Sequence, residues 1–303
     1  MAKDDTKAKK AGNNTTSNAQ DIATGPTDSV YTVPTFDAIL KSRPITFVVG
    51  ANKTEFTAHA GVLTRVSDPI EVLLDGHMKE AKEGRVTWDD VDDETFVRFI
   101  QWAYTEDYST AEPDILLDAS NIQIGASAGS STSKPQQAEK PLHSVQDRSV
   151  DTASQTTQGG VRSGDMAKQF TTSTDYALAY IDFEPRINSE GCEDYTKVFF
   201  CHAYLYIIAD KYDITPLSEL SMHKLYATLK AFKLYSSRVS NILSLAELVF
   251  ENTCDGDKMR TMIVHYCACI VEDLTKCEKF HLTLQAYPDF SSALITKMTE
   301  RLD

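Results

Sequence analysis

Residues 45–66 read ITFVVGANKTEFTAHAGVLTRV, and the change of hydrophobic period inside this stretch decides the fold class. Ile45 to Val49 is rich in β-branched residues, which favour a pleated, half-buried strand. It ends at Gly50-Ala51-Asn52-Lys53, a cluster of turn formers, and Thr54 to Ala58 then alternates around Phe56. The pair reads as a β-hairpin. Immediately afterwards the period lengthens: His59, Val62, Leu63 and Val66 fall on one face of a helix.

Working outward, Phe36, Ile39 and Leu40 have the spacing of a short helix before the hairpin. After it, Ser67-Asp68-Pro69 predicts a helix start with Asp68 as N-cap and Pro69 at the first helical position. Ile70, Leu73 and Leu74 line that helix, which ends near Gly76. Arg85 to Trp88 alternates as a further strand. Asp92 is placed to cap a longer helix with Phe96, Phe99, Ile100 and Ala103 on its apolar face, and Asp93 and Glu94 suit the positive end of its dipole. Strands and helices of this kind belong to a mixed class, and the resemblance given below implies the α+β fold in which a small sheet is flanked by helical hairpins.

Composition divides the rest of the chain. Residues 1–34 hold almost no apolar side chain and are expected to form a disordered tail. Residues 35–110 form the first ordered part. Residues 111–194 are expected to be a mostly disordered insertion, since Ser127 to Thr174 is Ser, Thr, Gln, Gly and Lys without periodicity. Within it, Tyr176 to Phe183 is a candidate for a short piece that packs back. Helical period returns at Phe200, Ala203, Tyr204, Ile207 and Ile208, and Thr215-Pro216 opens a partner helix carrying Leu217, Leu220 and Leu225. Residues 195–232 therefore form a helical pair, and residues 233–303 an all-α extension in short-looped hairpins.

Charge and cysteine usage exclude several function classes. Thirty Lys and Arg stand against 44 Asp and Glu, a formal net charge of -14, which repels phosphate backbones and anionic lipid. No run reaches the ~20 apolar residues needed to span a bilayer. The first thirty residues lack a signal-peptide apolar core. The six cysteines show no framework spacing, so the expectation is an intracellular protein, cytoplasmic or nuclear, with reduced thiols. Neither nucleic acid nor membrane is expected as a partner.

Catalytic and metal signatures are few. Gly125-Ala126-Ser127-Ala128-Gly129 matches a nucleophile elbow, which works by lifting a serine above a sheet at a strand-to-helix turn. Low-complexity sequence follows it instead of a helix, so a hydrolase built on Ser127 is the remote alternative. His265 and Cys269 are one turn apart, but two further ligands have no source in the pattern, and neither metal nor cofactor is expected. His59, beside Val62 and Leu63, reads as a satisfied core histidine rather than a ligand or base.

Taken in order, Phe56-Thr57-Ala58-His59, Val62-Leu63, Ser67, Met78-Lys79-Glu80, Val86, Asp90-Val91-Asp92, Phe96 and Trp102-Ala103-Tyr104-Thr105 resemble the BTB/POZ domain. Tyr206 to Tyr212 and Leu217 look like the closing helical pair of the same domain. There are two departures. Glu106 stands where a Gly usually follows Tyr-Thr, and Pro44 stands where many members carry Asp. The latter weakens a transcriptional-repressor reading. The resemblance implies a non-enzymatic protein–protein interaction module, commonly a homodimer and in many members a cullin ubiquitin-ligase adaptor. Met78-Lys79-Glu80 matches the hydrophobic-x-Glu step of cullin-binding members, and Met78, Glu80 and Tyr104 are the contact candidates it implies. The alternative is an architectural or transcription-associated module without cullin binding.

Overall fold

The computed structural model describes residues 35–77, 79–116, 139–150 and 158–300, with residues 158–163 as backbone only. The first described element is α1 (Phe36–Lys41), capped by Thr35, whose hydroxyl accepts the Ala38 N–H at 3.3 Å. Strands β1 (Pro44–Val49) and β2 (Thr54–His59) form the expected antiparallel hairpin, with Phe47 opposite Phe56. Gly50 closes the turn at φ +65°, where a Cβ would stand 3.3 Å from both the Val91 carbonyl and the Asp93 carboxylate. Helices α2 (Ala60–Thr64), α3 (Asp68–Asp75) and α4 (Lys79–Glu83) then carry the chain to β3 (Arg85–Trp88), which lies parallel to β1. The sheet order is β2-β1-β3.

Two local expectations need correcting. Ser67, not Asp68, caps α3: its hydroxyl accepts the Ile70 N–H at 3.1 Å and donates to the Tyr212 carbonyl at 2.6 Å. Asp68 sits inside the first turn, where its charge suits the dipole. His59 is not the first helical residue but ends β2, because its backbone N–H and Nδ1 are both held by the Tyr104 hydroxyl at 3.1 and 2.7 Å.

Helix α5 (Asp93–Thr105) begins as expected, with Asp92 accepting the Thr95 N–H at 2.9 Å. It buries Phe96, Phe99, Trp102 and Ala103 against the sheet, where Phe47, Trp88 and Phe96 pack at centroid separations of 5.1–5.7 Å. Glu106, the residue in the glycine position of the resemblance, adopts φ 63° as it ends α5. A left-handed conformation strains any side chain with a Cβ. Glu106→Gly is therefore expected to raise stability by about 0.5–1 kcal/mol, read as a higher urea midpoint with unchanged slope. The weak Arg65–Glu106 pair at 3.7 Å subtracts little.

The two short strands β4 (Asp114–Ile115) and β6 (Glu193–Asp194) pair with each other, as do β5 (His143–Ser144) and β7 (Lys233–Leu234). Between them lie α6 (Val145–Val150) and α7 (Gln158–Thr172). Helices α8 (Thr196–Lys211) and α9 (Thr215–Ala231) form the long pair. After a 3-10 turn at Ser236–Arg238 come α10 (Val239–Asn252), α11 (Lys258–Cys269), α12 (Val271–Leu274), α13 (Glu278–Ala286) and α14 (Pro288–Thr299).

Helices α8 and α9 are buried on two faces because each faces two cores. Leu205, Ile208, Ala209, Leu217 and Leu220 close the sheet core, and the Trp88 ring stacks on Tyr212 at 4.9 Å. The opposite face, with Phe199, Ala203, Tyr206, Leu225 and Leu229, enters a second core shared with α10, α11 and α14. The 233–303 extension thus has no core of its own. It completes one with the helical pair.

The described part of 111–194 is not disordered, which corrects the expectation for residues 139–150 and 158–194. Val145, Met166, Ala167, Phe170 and Tyr176 are buried members of the second core. Their signal is diluted in the sequence because few apolar side chains do the docking and hydrogen bonds do the rest. Glu139 accepts from Ser236 and Ser237 at 2.6 Å each, Leu142 N–H bonds Leu234 O at 2.7 Å, and Asn188 exchanges two bonds with the Lys233 backbone at 2.7 Å each. Residues 117–138 and 151–157 of that stretch, and Ser127 with them, lie outside the described residues, as does the 1–34 tail.

Candidate protein-interaction surface

Helix α1 is held edge-on to the domain. Its Ile39 is buried, and Ser42 pins the next turn by donating to Ile39 O at 2.7 Å while accepting the Gly61 N–H at 2.9 Å. A Cβ on Gly61 would stand 3.0 Å from the Ser42 hydroxyl, so the close approach of α1 and α2 requires glycine there. The consequence is on the other face. Phe36 and Leu40, one turn apart, stand 61% and 51% exposed. Exposed large side chains are ordinary singly; here two stand together on one short helix.

A second edge lies at α3 and α4. Ile70 and Leu74 face the core, while Val72 points outward at 64% exposure. Arg43 organises this edge. Its guanidinium donates to the Leu74 carbonyl, to Asp75 at 3.0 Å and to the Ala81 carbonyl at 3.3 Å, so one side chain ties the ends of α3 and α4 to the sheet. Periodicity does not reveal Arg43, since an arginine beside a strand-opening proline has no repeating signature.

Of the three residues singled out from the sequence, Met78 lies outside the described residues. Glu80 is half-exposed in the first turn of α4. Tyr104 is half-buried at the end of α5, its hydroxyl engaged with His59, and no hydrogen bond joins it to Glu80. Beside it, Arg65 donates to Ala103 O at 2.7 Å and fixes the same helix end.

A groove of about 560 Å³ separates the β1–β2 turn and the start of α5 from α8, with Phe200 and Tyr204 on its α8 side. Its acids are already engaged: Asp92 caps α5, Asp93 accepts the Thr54 hydroxyl at 2.7 Å, and Glu94 pairs with Arg98 at 3.2 Å. Among the described residues no group of three His, Cys, Asp or Glu is arranged to hold a metal. His265 and Cys269 are both buried in α11. No described helix is long and apolar enough to cross a membrane.

No curated protein matches the chain. The family model of the BTB/POZ domain matches residues 41–128, which takes in the three-stranded sheet and α2 to α5 and leaves α1 and the helices from α6 onward outside it. That domain is a protein–protein interaction module, and α8 and α9 close its core here from beyond the matched segment. With the α+β sheet core built by the matched residues and the rest of the described residues mostly helical, residues 41–128 of the chain carry a BTB/POZ domain.

Proposed function

We propose that the chain is a self-associating adaptor: α1 forms the contact between two copies, and the α3–α4 edge receives a cullin-class scaffold. The self-association rests on one observation, the outward pair Phe36 and Leu40 on a helix whose inner face is fixed. Burying two such side chains in a symmetric contact removes apolar area from water on both copies at once. The scaffold-binding edge rests on Val72 and Glu80 together with the Met78-Lys79-Glu80 step. Glu80 supplies a charge that a cationic partner group can bond, and a methionine fills irregular grooves well.

Affinity purification of the full-length chain, followed by mass spectrometry, tests the second half. Recovery of a cullin that is lost with Met78→Asp/Glu80→Lys, while self-association persists, is the expected result. Recovery of protein partners without any cullin would leave the other reading, an architectural or transcription-associated module. One observation favours that alternative: the hydroxyl of Tyr104, the third contact candidate, is taken up by His59 within the domain.

A further inference from the structure

Four histidines bury an Nε2 atom with no hydrogen-bond partner among the described residues: His143, His202, His223 and His265. All four stand where residues 139–150 or 164–183 meet the helices they pack against. His223 of α9 accepts the Leu178 backbone N–H through Nδ1 at 2.9 Å, so that nitrogen carries no proton and the ring is neutral. His265 of α11 meets Phe170 of α7 edge-on, with ring centroids 5.2 Å apart, and bonds the Met166 backbone. His202 of α8 bonds the Tyr108 hydroxyl at 2.7 Å and meets Phe183 edge-on at 6.2 Å.

The charged groups around these rings include cations, two of which are paired in turn, Lys224 with Asp107 and Arg98 with Glu94. Lys224 and Lys230 stand near His223, Lys224 and Arg98 near His202, and Lys297 with Glu300 near His265. His143 differs, because it stands between Arg148 and Asp273. Burial and then Arg148 outweigh Asp273 and hold His143 down to about 4 as well, but it belongs to β5, outside residues 164–183, and has no part in their release.

We propose that residues 164–183 form an acid-released clasp: protonation of His223, His265 and His202 drives the segment off α8, α9 and α11 while those helices stay folded. A proton on His223 Nδ1 turns its bond to Leu178 into two opposed N–H groups. A charged His265 is largely buried against Phe170, with the Met166 backbone and Glu300 set against Lys297 and the loss of water. A charged His202 is buried beside two cations. Detaching the segment returns each ring to water and uncovers the aromatic seat of Phe170 on Tyr226 and Tyr266. Helices α8, α9, α10 and α11 pack on one another directly, so they keep a core without it.

Burial first, then the neighbouring cations, holds His265 down to about 4 and His202 to about 3, and lowers His223 from its ordinary value. With the closed-state values depressed, the closed clasp binds fewer protons than the open one. Its stability is complete above the free-histidine value of about 6.5 and is lost as pH falls from there towards the depressed values. Between pH 7.5 and 5.0 the opening equilibrium rises roughly thirtyfold for each of His265 and His202, and further in the same direction for His223.

Hydrogen–deuterium exchange of the full chain at pH 7.5 and 5.0, corrected for intrinsic rates, reads this directly. The expected result is a loss of protection of at least several hundredfold across 166–178, the product of the His265 and His202 factors, with α8 to α11 still protected. His223→Gln/His265→Gln, which keeps hydrogen-bonding groups but cannot titrate, is expected to shrink that loss to the share of His202. If that variant does not fold, NMR titration of the histidine rings in the unmodified chain decides instead. Ring titration coinciding with the loss of protection supports the clasp. Unchanged protection over 166–178 at pH 5.0, or its loss together with that of α8 to α11, overturns it.

Discussion

Phe170→Ala is expected to destabilise the chain by about 3–5 kcal/mol, measured by urea denaturation. The side chain is fully buried, with Tyr226, His265 and Tyr266 rings at 5.2–5.5 Å. Truncation leaves a cavity whose walls belong to α9 and α11, long helices that cannot collapse into it without disturbing the α8–α9 pair. The same residue fixes α7 by its backbone, since Tyr226 donates its hydroxyl to Phe170 O at 2.7 Å. Removing the ring therefore loosens that bond as well. A loss below about 1 kcal/mol would mean that α7 only rests on the domain, since surface substitutions cost no more than that.

The second large effect is expected at Asp273. Its side chain is 6% exposed and accepts from Arg148 at 2.7 Å and Lys276 at 2.8 Å, with His143 at 3.4 Å. Asp273→Ala leaves a largely buried guanidinium short of its main acceptor. Breaking a buried pair costs more than the pair contributes, because the remaining charge keeps its desolvation penalty. Arg148 is partly solvated and retains Glu272 at 3.2 Å and Cys269 O at 2.7 Å, which sets the expected loss at about 2–3 kcal/mol. Because Arg148 belongs to α6, the loss should appear first as faster amide exchange in residues 142–150. Asp273→Ala/Arg148→Met, which removes both charges, is expected to recover part of it.

Legibility in the sequence tracks periodicity. The Ile45–Val49 strand, the Asp92 cap, the α5 face and the helices from Phe200 to Ile270 all show a repeat, and all stand where that repeat places them. Ser67 reads as a residue before the cap because Asp68 has the better capping chemistry in isolation. Only the distant Tyr212 carbonyl, which holds the Ser67 hydroxyl, decides between them. Helix α7 is illegible for a stronger reason. It docks through Met166, Ala167 and Phe170 within a stretch of Gly, Ser, Gln and Thr, and its stabilising partners lie on α9 and α11, far along the chain. For the site, the chain shows where a hydrophobic-x-Glu step lies, but not that Arg43 organises the edge around it or that Tyr104 is bonded to His59. Contacts between distant residues leave no local pattern.

Sedimentation equilibrium of the full-length chain over a wide concentration range tests the adaptor reading most directly, with Phe36→Asp/Leu40→Asp run beside it. The chain itself should approach twice its 33.7 kDa mass, and the variant should remain at that mass with an unchanged circular dichroism spectrum. An unmodified chain that stays at 33.7 kDa at every concentration, or a variant that dimerises as well as the parent, would contradict it.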